Sequence, residues 1–213
     1  MMKGDFYMFY AILGGPATGK GTISKILCQE LHIPHISTGD ILRKVSKTDP
    51  AIQLKLDKGL LIPDDIITNL LYQRISEPDC SNGCVIDGYP RSLSQALLLD
   101  EMLEKLGEKL SATIELTVPD ELVFRRVLER KECIKCGNTY GLDMPSKVKN
   151  ICDDCKSELV RRSDDTEETL KTRIDLYKIK SKPIIDYYKD NGLLITVDAS
   201  DNPDKILKVI DCN

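Results

Sequence analysis

The stretch GGPATGKGT at residues 14–22 sets a lysine among glycines, which is a means of gripping phosphate. In a glycine-rich turn ahead of a helix, successive backbone N–H groups converge on one point, and the helix dipole adds positive potential there. Lys20 can reach the outer phosphates of a nucleotide, and a nearby hydroxyl can touch Mg²⁺. The spelling departs from G-x-x-x-x-G-K-[ST]. Gly14, Gly19 and Lys20 fit, but Gly21 stands between Lys20 and Thr22. Glycines on both sides of Lys20 allow close backbone approach. Ala17, followed by Thr18, sits where such loops are often richer in glycine. If position 17 needs a positive φ, an alanine costs about 1–2 kcal/mol there. Either the loop keeps Ala17 at negative φ or nucleotide binding is weakened. A plain glycine turn is the competing explanation, and the lysine in a strand–loop–helix context weighs against it.

Two further groups of residues carry chemistry. Arg43, Arg91, Arg126, Arg130, Arg162 and Arg173 fall in or near the loops. Phosphoryl transfer needs positive charge around the moving group and little covalent work from the protein. The planar guanidinium suits bidentate phosphate contact, although any one arginine serves equally as a salt-bridge partner. The second group is Cys133-x₂-Cys136 and Cys152-x₂-Cys155, separated by fifteen residues. That is the spacing of a four-thiolate zinc site, with Gly137 easing the first turn. Four thiolates leave no open position, so the metal would be structural, supplying folding energy that a small insertion cannot draw from a core. Two disulfides, or a zinc ribbon gripping nucleic acid, are the alternatives. A reducing compartment disfavours the first, and few aromatics with mixed charge disfavour the second. The remaining cysteines, Cys28, Cys80, Cys84 and Cys212, read as small buried hydrophobes or bystanders.

These residues must be held by elements that the apolar spacing outlines. FYMFYAIL at 6–13 is a continuous apolar run of strand length, as in a strand buried on both faces. Ile23, Ile26, Leu27 and Leu31 recur at helical spacing behind the glycine loop. Short strands are expected at 33–37, 84–87, 112–118 and 193–199. Helices are expected at 92–107, with Gly107 as the stop, and at 119–131. Thr38-Gly39-Asp40 reads as a turn capping a helix that starts near Ile41. Residues 132–160 are loop-rich and read as an insertion. A long helix resumes with DDTEETLKTRIDLYKIK and is expected to break or kink at Pro183. Strands alternating with helices imply an α/β fold, a parallel sheet with helices on both faces and ligands at the carboxyl ends of its strands. His32 and His35, the only histidines, flank a strand and are expected to pack or cap.

The loop GGPATGKGT resembles the GxPGxGKGT loop of the adenylate kinase family, in which the glycine after the lysine is normal. ISTGDILR at 36–43, GLLIPDDII at 59–67, VIDGYPRSLSQA at 85–96, VPDELVFRRVLERK at 118–131 and RRSDDTEETLKTR at 161–173 match family blocks in order and spacing. The resemblance covers nearly the whole chain. It implies a P-loop kinase with a parallel five-stranded sheet flanked by helices, a mobile helical segment that binds a nucleoside monophosphate, and a zinc-braced lid. The implied division is core 1–36, with the phosphate loop at 14–22, monophosphate segment 37–66, core 67–129, lid 130–166 and core 167–213. The implied reaction is ATP + AMP ⇌ 2 ADP with Mg²⁺, and the relatives with other acceptors, such as UMP or CMP, form the alternative.

By the same resemblance, Lys20, Arg91, Arg126, Arg162 and Arg173 are the catalytic set. Gly15, Ala17, Thr18, Gly19, Lys20, Gly21 and Thr22 would hold the ATP phosphates. Arg126 and Arg130 would contact ATP phosphates or adenine, Thr139 and Tyr140 would lie against the ATP base, and Asp201 falls near a base contact. Arg43 and Arg91 would clamp the AMP phosphate, and Arg162 and Arg173 would bridge both nucleotides. Thr38 and Gln95 would read the AMP adenine, Gly88, Tyr89 and Pro90 would supply backbone, and Leu60, Leu61 and Ile62 would wall the base. Asp87 would orient Mg²⁺ through its waters, and Asp164 and Asp165 would be structural at the lid hinge. No general base is implied, because the attacking AMP phosphate is itself ionised.

Composition bounds the rest. A chain of 213 residues with 41% hydrophobic content suits one domain with a sizeable core. A net charge of −4 gives no general attraction to nucleic acid or anionic membrane. No apolar run approaches the roughly 20 residues of a membrane span. The segment MMKGDFYMFYAILGG lacks the flanks and cleavage site of a signal peptide, so a cytoplasmic protein is expected. A monomer is what the resemblance implies.

Overall fold

The computed structural model describes residues 8–162 and 165–200. Its centre forms where apolar runs are too continuous to leave a face in water. β1 (Met8–Gly14) buries Phe9, Ala11, Ile12 and Leu13 and leads through the glycine loop into α1 (Lys20–Leu31). β2 (His35–Ser37), α2 (Thr38–Ser46), α3 (Pro50–Asp57) and α4 (Asp64–Ile75) follow. A 3₁₀ turn at Pro78–Cys80 precedes β3 (Gly83–Asp87) and α5 (Leu93–Lys105). Then come β4 (Leu110–Thr117) and α6 (Asp120–Glu129). The insertion carries β5 (Lys131–Cys133), β6 (Thr139–Tyr140) and β7 (Leu159–Val160). α7 (Glu167–Asp190) and β8 (Leu194–Asp198) complete the described chain.

The main sheet has five strands in the order β2-β3-β1-β4-β8, and every neighbouring pair is parallel. Alternate residues of β1 enter different packing layers. Phe9, Ala11 and Leu13 join Leu71, Leu99, Leu103 and Ile184 from α4, α5 and α7. Ile12 joins Ile23 and Leu27 from α1 with Ile114 and Leu116 of β4. Two apolar layers therefore sandwich the sheet. Register aligns its carboxyl edge: Ile12 and Ser37 pair with Asp87, Gly14 with Leu116, and Thr117 with Asp198. The glycine loop and the loops after β2, β3 and β8 thus open on one side.

Two expectations are corrected and a third is refined. Thr38 does not cap the helix after β2. Ser37 does, its Oγ accepting from the Asp40 N–H at 3.2 Å, so α2 begins at Thr38. α7 runs unbroken through Pro183. Pro183 and Ile179, four residues before it, both lie on the exposed face, where water can take the carbonyl left without its N–H. Beyond it, Ile184 and Tyr188 are buried and re-anchor the helix. The insertion is not only loop: β6, β5 and β7 form an antiparallel sheet. Its strands, two or three residues long, are too short for period-two alternation to be read.

Candidate active site

The loops at the carboxyl edge enclose a cavity of about 670 Å³ together with the insertion. Gly14 to Thr22 line its floor. Lys20 Nζ donates to the carbonyls of Gly14 at 2.9 Å and Gly15 at 2.6 Å, and Thr18 Oγ1 donates to Gly15 O at 3.1 Å. The cation is thereby held at the loop's inner face. Burial, opposed by Asp87 and reinforced by Arg91, Arg130 and Arg173, lowers the Lys20 pKa to about 8. Ala17 has φ +54°, so the loop does adopt the left-handed conformation that glycine would favour. Its cost of about 1–2 kcal/mol is offset in part by packing, because Ala17 lies against Val123, Val127, Leu170 and Ile174.

The loop after β3 shapes the facing wall. Thr38 is 1% exposed, and its Oγ1 donates to Asp87 O at 3.0 Å, joining α2 to the end of β3. Gly88 has φ +81°, and a Cβ there would sit 2.8 Å from Thr38 Oγ1, so only glycine fits. Arg91 Nε donates to Gly88 O at 2.7 Å, and the Arg91 N–H donates to Gln95 Oε1 at 2.7 Å. Arg43 pairs with Asp40 one helical turn back. Tyr89 is buried with its hydroxyl 2.9 Å from Thr68 Oγ1, and Pro90 and Leu61 line the cavity beside it. Ile62 is buried, whereas Leu60 is exposed at the cavity edge. Asp87 lies between loop and wall. Burial would raise its pKa, but the His35 hydrogen bond and the Lys20 charge outweigh it, holding the carboxyl below its ordinary value. His35 Nε2 is 3.4 Å from Asp87 Oδ2.

The arginines complete the rim. Arg126 is 9% exposed; its Nη2 donates to Ala199 O at 2.8 Å, and its Nε lies 2.6 Å from Asp143 Oδ2 of the insertion. Its Nη1 is buried without a hydrogen-bond partner among the described residues, a donor suited to an anionic ligand. Arg130 Nε donates to Asp165 Oδ2 at 2.7 Å, Arg162 pairs with Glu132, and Arg173 lines the cavity from α7. Thr139 and Tyr140 face the cavity from β6. Every nucleotide-contact residue expected from the sequence lines this one cavity, except Asp201, which with Asp164 lies outside the described residues.

The four paired cysteines form a separate site. Their sulfurs all lie within 4.8 Å of one another. Cys133–Cys155 is 3.2 Å, and Cys136–Cys152 and Cys136–Cys155 are both 3.5 Å. A tetrahedral ion with 2.3 Å metal–sulfur bonds needs sulfurs about 3.8 Å apart, whereas a disulfide needs about 2.05 Å. The donor set fits one thiophilic ion, and all four are free cysteines. The two turns are built alike. Gly137 N–H donates to Cys133 O and Lys156 N–H to Cys152 O, while Cys133 and Cys152 N–H donate to Asn138 O and Ser157 O. Gly137 (φ +71°) and Lys156 (φ +60°) occupy equivalent left-handed positions. Hydrogen bonds from Ser157 lead in lowering the Cys155 pKa to about 6, which favours the ligating thiolate. Tyr140 Oη lies 3.4 Å from Cys152 Sγ and accepts from Asp153 N–H at 2.9 Å, so the cavity wall is braced by the cysteine site.

Several contributors escape sequence reasoning. Lys25 Nζ donates to Asn138 Oδ1 at 2.6 Å, and with Arg126–Asp143 this ties the insertion to the core over the cavity. Both contacts join residues remote in sequence, and no motif marks them. Asp64, which binds Ser92, Ser94 and Gln95, gave no signal beyond an acid at a helix start.

Comparison with known proteins places the chain. A family profile described as adenylate kinase matches residues 12–193. The adenylate kinase of Caldicellulosiruptor bescii is 40% identical over 208 residues, covering 93% of this chain and 97% of the relative. That of Methanocella arvoryzae is 42% identical over 204 residues, covering 93% and 94%. That of Clostridium kluyveri is 43% identical over 194 residues, covering 89% of each.

Proposed function

The chain belongs to the adenylate kinase family, and from that premise we infer that it catalyses in-line, Mg²⁺-dependent transfer of a phosphoryl group between ATP and AMP, giving two ADP. The observation that carries this reading is a single cavity: phosphate loop on one side, the Arg91–Gln95 loop on the other, Asp87 between them. Gly15 to Thr22 would cradle the ATP phosphates, with Arg126 and Arg130 beside them and Thr139 and Tyr140 against the base. Arg43 and Arg91 would clamp the AMP phosphate. Thr38 and Gln95 would read its adenine, with Leu60, Leu61 and Ile62 as the wall. Arg162 and Arg173 would span both nucleotides. Asp87, kept ionised, would orient the waters of the Mg²⁺ that accompanies ATP. Catalysis then consists of alignment and charge neutralisation, with the AMP phosphate as its own nucleophile.

Residues 37–66 and 130–166 would close over the two nucleotides, the latter excluding water so that transfer outruns hydrolysis. Zinc in the four-cysteine site would hold that lid in shape. The protein would act as a cytoplasmic monomer without nucleic-acid or membrane partners, in keeping with a net charge of −4. No helix among the described residues is long and apolar enough to cross a membrane.

Initial rates with ATP against AMP, UMP, CMP and GMP, with Mg²⁺ and with excess chelator, test the reading. AMP should be used far faster than the others, and only with Mg²⁺. A preference for UMP or CMP, or full activity without a divalent cation, would contradict it.

A further inference from the structure

Gln95 is 2% exposed and lines the cavity, and its amide is already engaged at both ends. Nε2 donates to Asp64 Oδ1 at 2.7 Å, and Oε1 accepts from the Arg91 N–H at 2.7 Å. An ionised carboxylate only accepts and a backbone N–H only donates, so these two neighbours admit one orientation of the amide. Turning it over would set Oε1 against the carboxylate and the NH₂ group against another N–H. Asp64 is itself fastened: Ser92 Oγ donates to its Oδ2 at 3.2 Å, and Ser94 Oγ donates to the same oxygen. Burial works against its ionised form, but the hydrogen bonds from Ser94, Gln95 and Ser92 outweigh it and keep the pKa below the ordinary value. Asp64, Ser92 and Ser94 stand behind Gln95 and are not among the residues that line the cavity.

An amide held this way still has one N–H and one oxygen lone pair for a ligand, in a fixed order. Adenine presents the N6 donor beside an acceptor. A 6-oxopurine presents an acceptor at O6 beside the N1–H donor, the reverse order on that edge. With the base anchored through its phosphate, inverting the Gln95 amide is the change that would let the same site take a 6-oxopurine. We propose that Asp64 is a positioning residue for specificity: by fixing the Gln95 amide against inversion, it makes the monophosphate site reject 6-oxopurine nucleotides in favour of AMP. Discrimination here comes from penalising the competitor as much as from binding the partner.

This rests on the reading that Gln95 contacts the acceptor base, and the test separates the two. Asp64→Asn keeps the shape but can present either a donor or an acceptor to Gln95. Asp64→Ser, whose hydroxyl can likewise donate or accept, is the second variant should the first fold poorly. The kcat and KM for AMP, IMP and GMP are measured for wild type, both Asp64 variants and Gln95→Ala, with melting temperatures alongside. Asp64→Asn should lower the AMP-to-IMP and AMP-to-GMP ratios of kcat/KM by on the order of ten- to a hundredfold, mainly through KM. A purely structural role would lower all three acceptors together and leave the ratios unchanged, which overturns the proposal. If Gln95→Ala shifts the ratios and neither Asp64 variant does, the proposal fails while Gln95 keeps its role. If Gln95→Ala leaves them unchanged, the reading beneath fails, and the proposal with it.

Discussion

Lys20→Met is expected to lower kcat by about 10²–10³-fold, the usual cost of removing one preorganised charge from a transferring group. Methionine keeps the length and apolar stem of lysine, and the loop carbonyls of Gly14 and Gly15 that Lys20 now binds are near the open cavity. The fold should therefore survive, with the loss appearing in transfer rather than in melting temperature. The lowered pKa adds a second readout. Burial lowers the Lys20 pKa to about 8 in the free enzyme, and the cation would be the competent form. The kcat/KM for ATP should therefore be level below that point and fall as pH rises through it. Bound phosphates raise the lysine pKa, so kcat should hold to higher pH than kcat/KM. Rates and pH profiles of wild type and variant check both points. A variant with wild-type kcat would remove Lys20 from the mechanism, and a wild-type kcat/KM indifferent to pH between 7 and 9.5 would contradict the lowered pKa.

Loss of the lid metal should have the other large effect. Apart from the thiols, the insertion's apolar core among the described residues is Leu159 with Tyr140 packed against it. That is too little to order some thirty residues unaided. Structural zinc in comparably small units contributes on the order of 10 kcal/mol, so the order of the insertion and a metal held by the four cysteines would stand together. One zinc per chain is expected from elemental analysis. Cys152→Ser, which removes a buried ligand, should reduce it to near zero. Activity should fall and hydrolysis of ATP rise, because Thr139, Tyr140 and the Arg126–Asp143 contact depend on the lid. The five-stranded sheet should remain, so far-UV circular dichroism should change little while proteolysis appears within 130–166. A metal-free protein with an intact, protease-resistant lid would contradict this.

The sequence carried the sheet and the glycine loop because their signals are local. The apolar run ending at Leu13 and the helical spacing from Ile23 to Leu31 each belong to one element, and burial on both faces follows from continuity alone. The cysteine pairs were legible for the same reason: each occupies one turn. What escaped depends on contacts between remote segments. Ser37 rather than Thr38 caps α2 because Thr38 Oγ1 is drawn to Asp87 O across the sheet. Pro183 is tolerated because its face of α7 meets solvent, which the residue alone does not reveal. Lys156 takes the left-handed position that a glycine fills in the twin turn, since the paired cysteines impose the turn on either residue. Asp64, Lys25 and Asp143 act on the site only because the fold delivers them there.

A cavity that brings ATP and AMP together and shuts water out on closing should pass the phosphoryl group from one nucleotide to the other without loss to water. Following ATP, AMP, ADP and inorganic phosphate together by ³¹P NMR tests it most directly. The expected result is two ADP formed for each ATP and AMP consumed, with negligible inorganic phosphate and no ATP consumption when AMP is omitted. Steady release of inorganic phosphate, or ATP turnover that does not require AMP, would contradict it.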